Sequence, residues 1–293
     1  MRYKIHHTTE YKYQEMVTTG HNRLCLVPLN CNEQSLLSSE IKISPTPDEL
    51  TYITDFFGNT LLFISIYKEH KELVIHSESR LEINNRVNAD HAFHSSLLGR
   101  NTLSQLSAEG VTYADVIQYT LPSLYIPYSE EIRTFAADCF TEDATLWAGC
   151  QMLMNKIFRH VEFKPGFTTV NTPVESVLKL RKGVCQDFAH LMIACLRNMG
   201  LPARYVSGYL ETFPPPGKEK LIGSDASHAW VAVYFPNIGW VEFDPTNCIL
   251  ASHTHIIIAY GRDYFDVAPI KGIVFSSGKQ TLNVKVDVQQ MKV

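Results

Sequence analysis

Short stretches of alternating apolar and polar residues follow one another from Tyr3 to about Ile83. One stretch, at 40–43, precedes the turn residues 44–47, and a longer one follows the turn at 55–59. Alternation of this kind is typical of strands with one buried face, and turns at this spacing are typical of antiparallel sandwiches or barrels. Residues 1–83 are therefore predicted to form a separate N-terminal antiparallel β-sandwich-like domain.

The next segment, residues 84–128, is polar and irregular, and it is rich in Asn, Asp, His and Pro. Such composition predicts a connector that runs over the surface. Helical periodicity begins near residue 129 and predicts helices over 130–140 and about 144–160.

Two further helices are predicted before the alternation returns. The first begins at about residue 173 and stops before Gly183. The second runs from about Cys185 to Gly200 and is apolar on nearly every face, so it must be buried on most sides. Residues 129–293 are thus predicted to form an α+β core of helices packed on an antiparallel sheet. The predicted strands lie near 203–210, 227–235, 240–244, 254–259 and 281–288.

Composition narrows the classes of function. The chain has 293 residues, with 26 Lys+Arg against 30 Asp+Glu, so it lacks the basic footprint of a nucleic-acid-binding protein. Neither an apolar run near the ~20 residues of a membrane span nor a signal peptide is visible, which predicts a cytoplasmic protein without membrane contact. Seven cysteines without a CxxC pair predict reduced thiols rather than disulfides or zinc, and no metal or other cofactor is predicted.

Cys185 is the first candidate for chemistry, because it stands at the predicted start of the buried helix. The first turn of a helix presents unpaired N–H groups and the positive end of the helix dipole, which stabilise a thiolate. The same N–H groups could hold an oxyanion. The alternative is that Cys185 is simply a small buried apolar residue.

His228 and Asp244 are candidates for its partners. They lie on two predicted strands joined through residues 236–239. If Tyr234 pairs with Trp240, His228 and Asp244 share a face two positions apart, whereas a loop one residue shorter would place them on opposite faces. A cysteine nucleophile needs an imidazole to move the proton and benefits from a carboxylate that orients the imidazole. Taken singly, His228 is an ordinary strand histidine and Asp244 a turn residue.

Three motifs in this order resemble the transglutaminase-like superfamily of papain-like thiol enzymes. They are residues 183–190 (GVCQDFAH), 227–230 (SHAW) and 239–246 (GWVEFDPT). Residues 261–267 and the first 83 residues are similar to its bacterial branch, whose members are often described as cysteine proteases and carry an N-terminal β domain. The resemblance implies that Cys185 is the nucleophile, His228 the general base and then acid, and Asp244 the orienting carboxylate.

Neighbouring residues carry weaker predictions. Gln186 and Trp230 are candidates for substrate binding, with a solvent-facing position and core packing as the respective alternatives. Arg262 is a candidate for the rim of the site on the resemblance alone. Asp187 carries a charge that would disfavour a thiolate, so it is expected to pair with the N–H groups of the first helical turn or with an Arg, for which Arg262 is the candidate; the alternative is a plain first-turn Asp. The His-x-His pair at 253–255 has no third ligand nearby in the sequence and is interpreted as structural.

The predicted function is a cysteine-dependent acyl enzyme that cleaves peptide or glutamine-type amide bonds through a thioester, with a peptide or protein as substrate. The sequence leaves open whether water or an amine takes the acyl group; hydrolysis, as in a protease or amidase, is favoured because no dedicated amine site is visible. A transglutaminase and a catalytically silent peptide-binding module are the alternatives. The sequence makes no prediction of the oligomeric state.

Overall fold

The computed structural model describes residues 1–84, 86, 113–212, 225–236 and 238–291. Most of the predicted connector at 84–128 therefore lies outside the described residues. Within the described part, no helix is both long enough and apolar enough to cross a bilayer. The strands are β1 (Arg2–Val17), β2 (Thr19–Leu24), β3 (Gln34–Ser44), β4 (Glu49–Thr54), β5 (Thr60–Ile66), β6 (His70–Ile83), β7 (Glu162–Phe163), β8 (Lys182–Gly183), β9 (Ala203–Leu210), β10 (Ala226–Phe235), β11 (Gly239–Asp244), β12 (Ile249–Leu250), β13 (His255–Gly261), β14 (Ile270–Phe275) and β15 (Gln280–Gln290).

The N-terminal strands form two antiparallel four-stranded sheets, in the orders β15-β1-β6-β3 and β14-β2-β5-β4. Alternate residues of these strands point inward and form one apolar cluster between the sheets, because side chains on a strand face opposite sides in turn. The predicted β-sandwich-like architecture is thus confirmed. The buried members of the cluster are Tyr13, Val17, Leu24, Leu26, Leu62, Ile64, Ile66, Leu73 and Ile75.

The last two strands belong to these N-terminal sheets. The sequence placed a strand at 281–288 in the core, and a strand does form there, but β15 pairs with β1 from Tyr3↔Gln290 to Tyr13↔Gln280. In the second sheet β14 pairs with β2. Residues 270–290 therefore complete the N-terminal sandwich rather than the core sheet. The domain boundaries at 83 and 128 stay a prediction.

The four helices predicted between residues 130 and 200 form, and they precede the strands of the core sheet along the chain. The sheet has five strands in the order β12-β11-β10-β9-β13, and every described pairing within it is antiparallel. The helices are α1 (Tyr113–Ile117), α2 (Glu130–Ala136), α3 (Leu146–His160), α4 (Val174–Leu180), α5 (Cys185–Asn198) and α6 (Tyr264–Val267), with single 3₁₀ turns at Gln118–Thr120 and Ala137–Cys139.

Helix α5 is the centre of the core. It packs on β9 and β10 with one face and on α2, α3 and α4 with others. All of its residues after Cys185 are buried, including Leu191, Met192 and Ile193, which are wholly inaccessible. Burial of this apolar surface holds α5 rigidly on the sheet. Cys185, its first residue, is consequently presented at a defined place at the end of β9 and β10.

Candidate active site

Cys185 occupies the first turn of α5, directly after the N-cap residue Val184. Its side chain is half-buried and packs at the edge of the main apolar cluster. The N–H groups of a first helical turn have no partner within the helix, and a helix of this length carries the positive end of its dipole there. This environment stabilises negative charge on the sulfur.

Asp187 closes the start of the same helix. Its Oδ2 accepts hydrogen bonds from the Val184 N–H at 2.7 Å and from the Thr168 hydroxyl at 2.6 Å. Burial raises the pKa of Asp187, and these two hydrogen bonds oppose that shift. The carboxyl group is thus a helix cap, one of the two roles considered from the sequence. Arg262, the other suggested partner, instead pairs with Asp266 at 2.9 Å.

Gly183 allows this cap to form, because a Cβ at that position would lie 2.7 Å from the Asp187 Cβ and 2.8 Å from its Oδ2. Gly183→Ala is therefore expected to lower the free energy of unfolding by about 1–3 kcal/mol, the usual cost of overpacking. Urea denaturation measures the change. Gly20→Ala is the matched control, since its new Cβ would meet no atom closer than 3.6 Å. Equal stability of the two variants would contradict the prediction.

His228 and Asp244 come together on neighbouring strands. Tyr234 pairs with Trp240, so the first of the two registers considered from the sequence is the one that forms between β10 and β11. As a result the two side chains share a face, and the His228 Nε2–H donates to Asp244 Oδ2 at 2.8 Å. His228 is 9% exposed and Asp244 is wholly buried, so this hydrogen bond is largely shielded from water.

The imidazole of His228 also contacts the Cys185 thiol. Burial lowers the pKa of His228, but hydrogen bonds with Asp244 and Cys185 and the charges of both groups outweigh burial and raise it well above its usual value. Since Nε2 faces Asp244, Nδ1 is the ring nitrogen available to the sulfur. Burial alone would raise the pKa of Asp244, yet hydrogen bonds from His228 and His255 hold it well below its usual range. The arrangement therefore favours an imidazolium beside the buried Asp244 carboxylate.

His255, on β13, is a second histidine at the same carboxylate. Its Nδ1 accepts the Ser252 backbone N–H at 3.1 Å, so its proton must reside on Nε2, which lies 3.2 Å from Asp244 Oδ2. Burial is the main cause that lowers the pKa of His255, and the ring is wholly inaccessible. His255 is therefore a neutral donor to Asp244. The prediction that His255 is structural rested on the lack of a third ligand nearby in the sequence, and its partner Asp244 lies on another strand.

Asn247 and Thr246 supply the remaining hydrogen bonds to Asp244. The Asn247 side-chain amide donates to Oδ2 at 2.6 Å, and the backbone N–H groups of both residues donate to Oδ1 at 3.0–3.2 Å. The ligand atoms of His228, Asp244 and His255 lie within 4.8 Å of one another, a spacing that could hold a metal ion. The proton on His255 Nε2 argues against that use, since a metal ligand needs a free lone pair there.

The three substrate-binding candidates are separated in the structure. Trp230 is wholly buried, stacks on His228 with ring centroids 6.0 Å apart and donates from Nε1 to Glu242, so a substrate cannot contact it. Its indole ring packs against the His228 imidazole. The Gln186 amide donates to the Val170 carbonyl at 3.2 Å and is 9% exposed. Arg262 is half-exposed and held by Asp266.

A buried helix that begins at a cysteine and packs on an antiparallel sheet carrying His and Asp defines the transglutaminase-like class of fold. Residues 133–245 match the Transglutaminase-like superfamily, and residues 3–82 match the Bacterial transglutaminase-like N-terminal region. An uncharacterized protein of Mycobacterium tuberculosis is 35% identical over 292 residues, which cover 98% of this chain and 92% of that protein. The chain therefore belongs to the transglutaminase-like superfamily and has its bacterial N-terminal region.

Two other proteins extend the comparison. The crystal structure of a "putative cysteine protease" from Cytophaga hutchinsonii has the same fold, with a TM-score of 0.77 and 21% identity, and the match covers 100% of this chain and 92% of that one. A protein-glutamine gamma-glutamyltransferase of Pseudomonas aeruginosa is 35% identical over 94 residues, which are 30% of this chain and 14% of that protein.

Proposed function

We propose that the protein is a cysteine-dependent acyl enzyme that cleaves peptide or glutamine-type amide bonds, with Cys185, His228 and Asp244 as its triad. The observation that carries the proposal is the continuous contact from the Cys185 sulfur through the His228 ring to the buried Asp244 carboxylate. Thiol catalysis needs a nucleophile, a base within hydrogen-bonding reach and a group that orients the base. These three residues meet that requirement.

The reaction has two halves. In the first, the Cys185 thiolate attacks the amide carbonyl, a C–S bond forms, and the backbone N–H of Cys185 stabilises the oxyanion. The C–N bond then breaks as the leaving nitrogen takes the proton from His228, which leaves a thioester. In the second half, water gives a proton to His228 and attacks the thioester, the C–S bond breaks, and the thiolate returns.

The acyl acceptor is taken to be water, which makes the protein a protease or amidase. Transfer to an amine is the second candidate, and the partial similarity to a protein-glutamine gamma-glutamyltransferase favours it. The substrate in either case is a peptide or protein.

The proposed location is the cytoplasm. All seven cysteines are free thiols, which is consistent with a reducing compartment.

Mass spectrometry of an acetylated glutamine peptide mixed with the protein tests this proposal. Rapid acid quenching is expected to show the acyl group on Cys185, and the product in water is expected to be the free acid. Addition of glycine methyl ester leaves the breakdown rate unchanged if water is the acceptor. A faster breakdown with the amine in the product would overturn hydrolysis in favour of transfer, and a set of peptides that never acylates Cys185 would refute the acyl-enzyme proposal.

His255 is expected to act as a positioning residue through Asp244. His255→Leu removes the donor and should slow alkylation of Cys185 at pH 6 by about 10- to 100-fold, the usual range for a hydrogen bond to a charged group. His255→Gln keeps a side-chain N–H at a similar reach and should recover most of the rate. The full pH profile distinguishes this role from packing. If both variants show the wild-type profile, His255 does not act on the triad.

A further inference from the structure

A cavity of about 150 Å³ lies between the N-terminal sandwich and the core. Strand β1 contributes His7, Thr9 and Tyr11 to its wall, and β15 contributes Leu282 and Val284. These strands are paired, with Thr9 opposite Val284 and Tyr11 opposite Leu282, so the five side chains lie on one face of the sheet. The two ends of the chain thus build one wall of the cavity together.

The part of the lining that comes from the core connects the cavity with the strand of the proposed base. It includes Ser227, the residue before His228, and Tyr264 at the start of α6. Burial raises the pKa of Tyr264, and the proximity of Tyr11, Tyr125 and Cys185 raises it further. Tyr264 lines the cavity together with Tyr11 and, like Cys185, packs against the main apolar cluster of the core. Since Ser227 precedes His228 on β10, the cavity lies beside the strand that carries the proposed base.

On the face of β15 that lines the cavity, the residues from 282 to 288 are apolar. Val286 and Val288 are buried against the core, whereas Leu282 is 56% exposed and Val284 is 44% exposed. The apolar surface therefore continues from the core out to the mouth of the cavity, where the part of the chain that the structure describes leaves it exposed. Exposed apolar surface at the mouth of a cavity is typical of a ligand-binding site.

The polar groups in the cavity are uncharged. None of the described residues that line it is Asp, Glu, Lys or Arg. Burial lowers the pKa of His7 to about 4, so its ring is neutral at pH 7, and its two nitrogens each bond at 2.8 Å, one to Tyr209 and one to Thr9. Moving a charged group into such surroundings without a partner is costly. A cavity of about this volume accommodates a benzene-sized group.

We propose that this cavity binds the substrate side chain nearest to the attacked carbonyl, on the acyl side, and that it selects an uncharged, mainly apolar side chain. The inference rests on the proposed function, because it takes Cys185 as the nucleophile. It assigns a role to the N-terminal sandwich, which supplies one wall of the substrate pocket through β1 and β15.

Two acetylated amino-acid chloromethyl ketones test this selectivity. The norleucine and lysine compounds have side chains of similar length and differ in the terminal ammonium. Alkylation of Cys185 by the norleucine compound is expected to be at least about tenfold faster, because the cavity offers no partner for the charge. Iodoacetamide, which carries no such side chain, normalises both rates. A ratio near one would overturn the proposal, as would alkylation no faster than that of free glutathione.

Val284→Glu places a carboxylate at the mouth of the cavity. The ratio of the two chloromethyl ketone rates, each divided by the iodoacetamide rate of the same variant, should shift toward the lysine compound by about tenfold. Ile273→Glu is the matched control, because Ile273 is 67% exposed on β14 and does not line the cavity. If Val284→Glu unfolds, Leu282→Glu makes the same test. Equal ratios in the cavity variant and the control refute the pocket. If iodoacetamide alkylates Cys185 equally fast in the wild type and in His228→Ala, the proposed function is refuted instead, whatever the ratio of the two chloromethyl ketone rates.

Discussion

Cys185→Ala is expected to abolish amide cleavage, lowering kcat by about 10⁴-fold or more, as in other enzymes that lose a triad nucleophile. The expectation follows from the position of the thiol, which is the group at the start of α5 that contacts the His228 ring. Removing it leaves the oxyanion donor and the binding surfaces but no atom to form the thioester. Product formation from the glutamine peptide, followed by mass spectrometry, measures the loss.

Cys31→Ala is the control for this experiment. Cys31 is a half-buried thiol outside the triad, and burial is the main cause that raises its pKa to about 11, so it is an unreactive cysteine. Its variant should retain wild-type turnover. Cleavage that survives in Cys185→Ala but disappears in Cys31→Ala would show that the wrong cysteine has been assigned.

Asp244→Asn is expected to lower turnover by about 10³- to 10⁴-fold, a loss comparable with other triads whose carboxylate becomes an amide. The buried carboxylate of Asp244 accepts hydrogen bonds from His228 and His255 at once. Both rings bond to Oδ2, and Oδ1 accepts two backbone N–H groups, so the NH2 group of an amide must face a donor at one of these places. The amide also has no charge to balance an imidazolium. The pKa of His228 should fall, and with it the fraction of the thiolate–imidazolium pair.

Asp138→Asn serves as the matched control, because this carboxylate is exposed and pairs with Lys156 at 2.6 Å outside the triad. A stopped-flow assay of acylation separates the chemical step from product release. If Asp244→Asn acylates Cys185 as fast as Asp138→Asn, the carboxylate does not orient the base.

Local patterns in the sequence predicted the parts of the site that depend on local geometry. The short loop and the alternation limited β10 and β11 to two registers, and the one that forms is the one that places His228 and Asp244 on a shared face. The helix start at Cys185 follows from the apolar run that succeeds Gly183. Both features depend on residues close together in the chain.

Features that depend on distant pairing could not be derived in this way. His255 reaches Asp244 because β13 lies beside β9 in the sheet, and a sheet order is not visible in the alternation of one strand. The pairing of β15 with β1 joins the two ends of the chain, and periodicity cannot report a partner about 280 residues away. The burial of Trp230 depends on what packs on the sheet, which its own strand does not reveal. From the sequence it was therefore still a candidate for substrate contact.

The pH dependence of Cys185 alkylation by iodoacetamide, in the wild type and in His228→Ala, tests the central claim most directly. The raised pKa of His228 keeps its ring protonated at neutral pH, and an imidazolium beside a thiol favours the thiolate. The wild-type rate should therefore stay high well below pH 7, and this plateau should be lost in His228→Ala. A rate that rises only near pH 8.5 in both proteins, where an ordinary cysteine titrates, would contradict the account and favour a catalytically silent peptide-binding module.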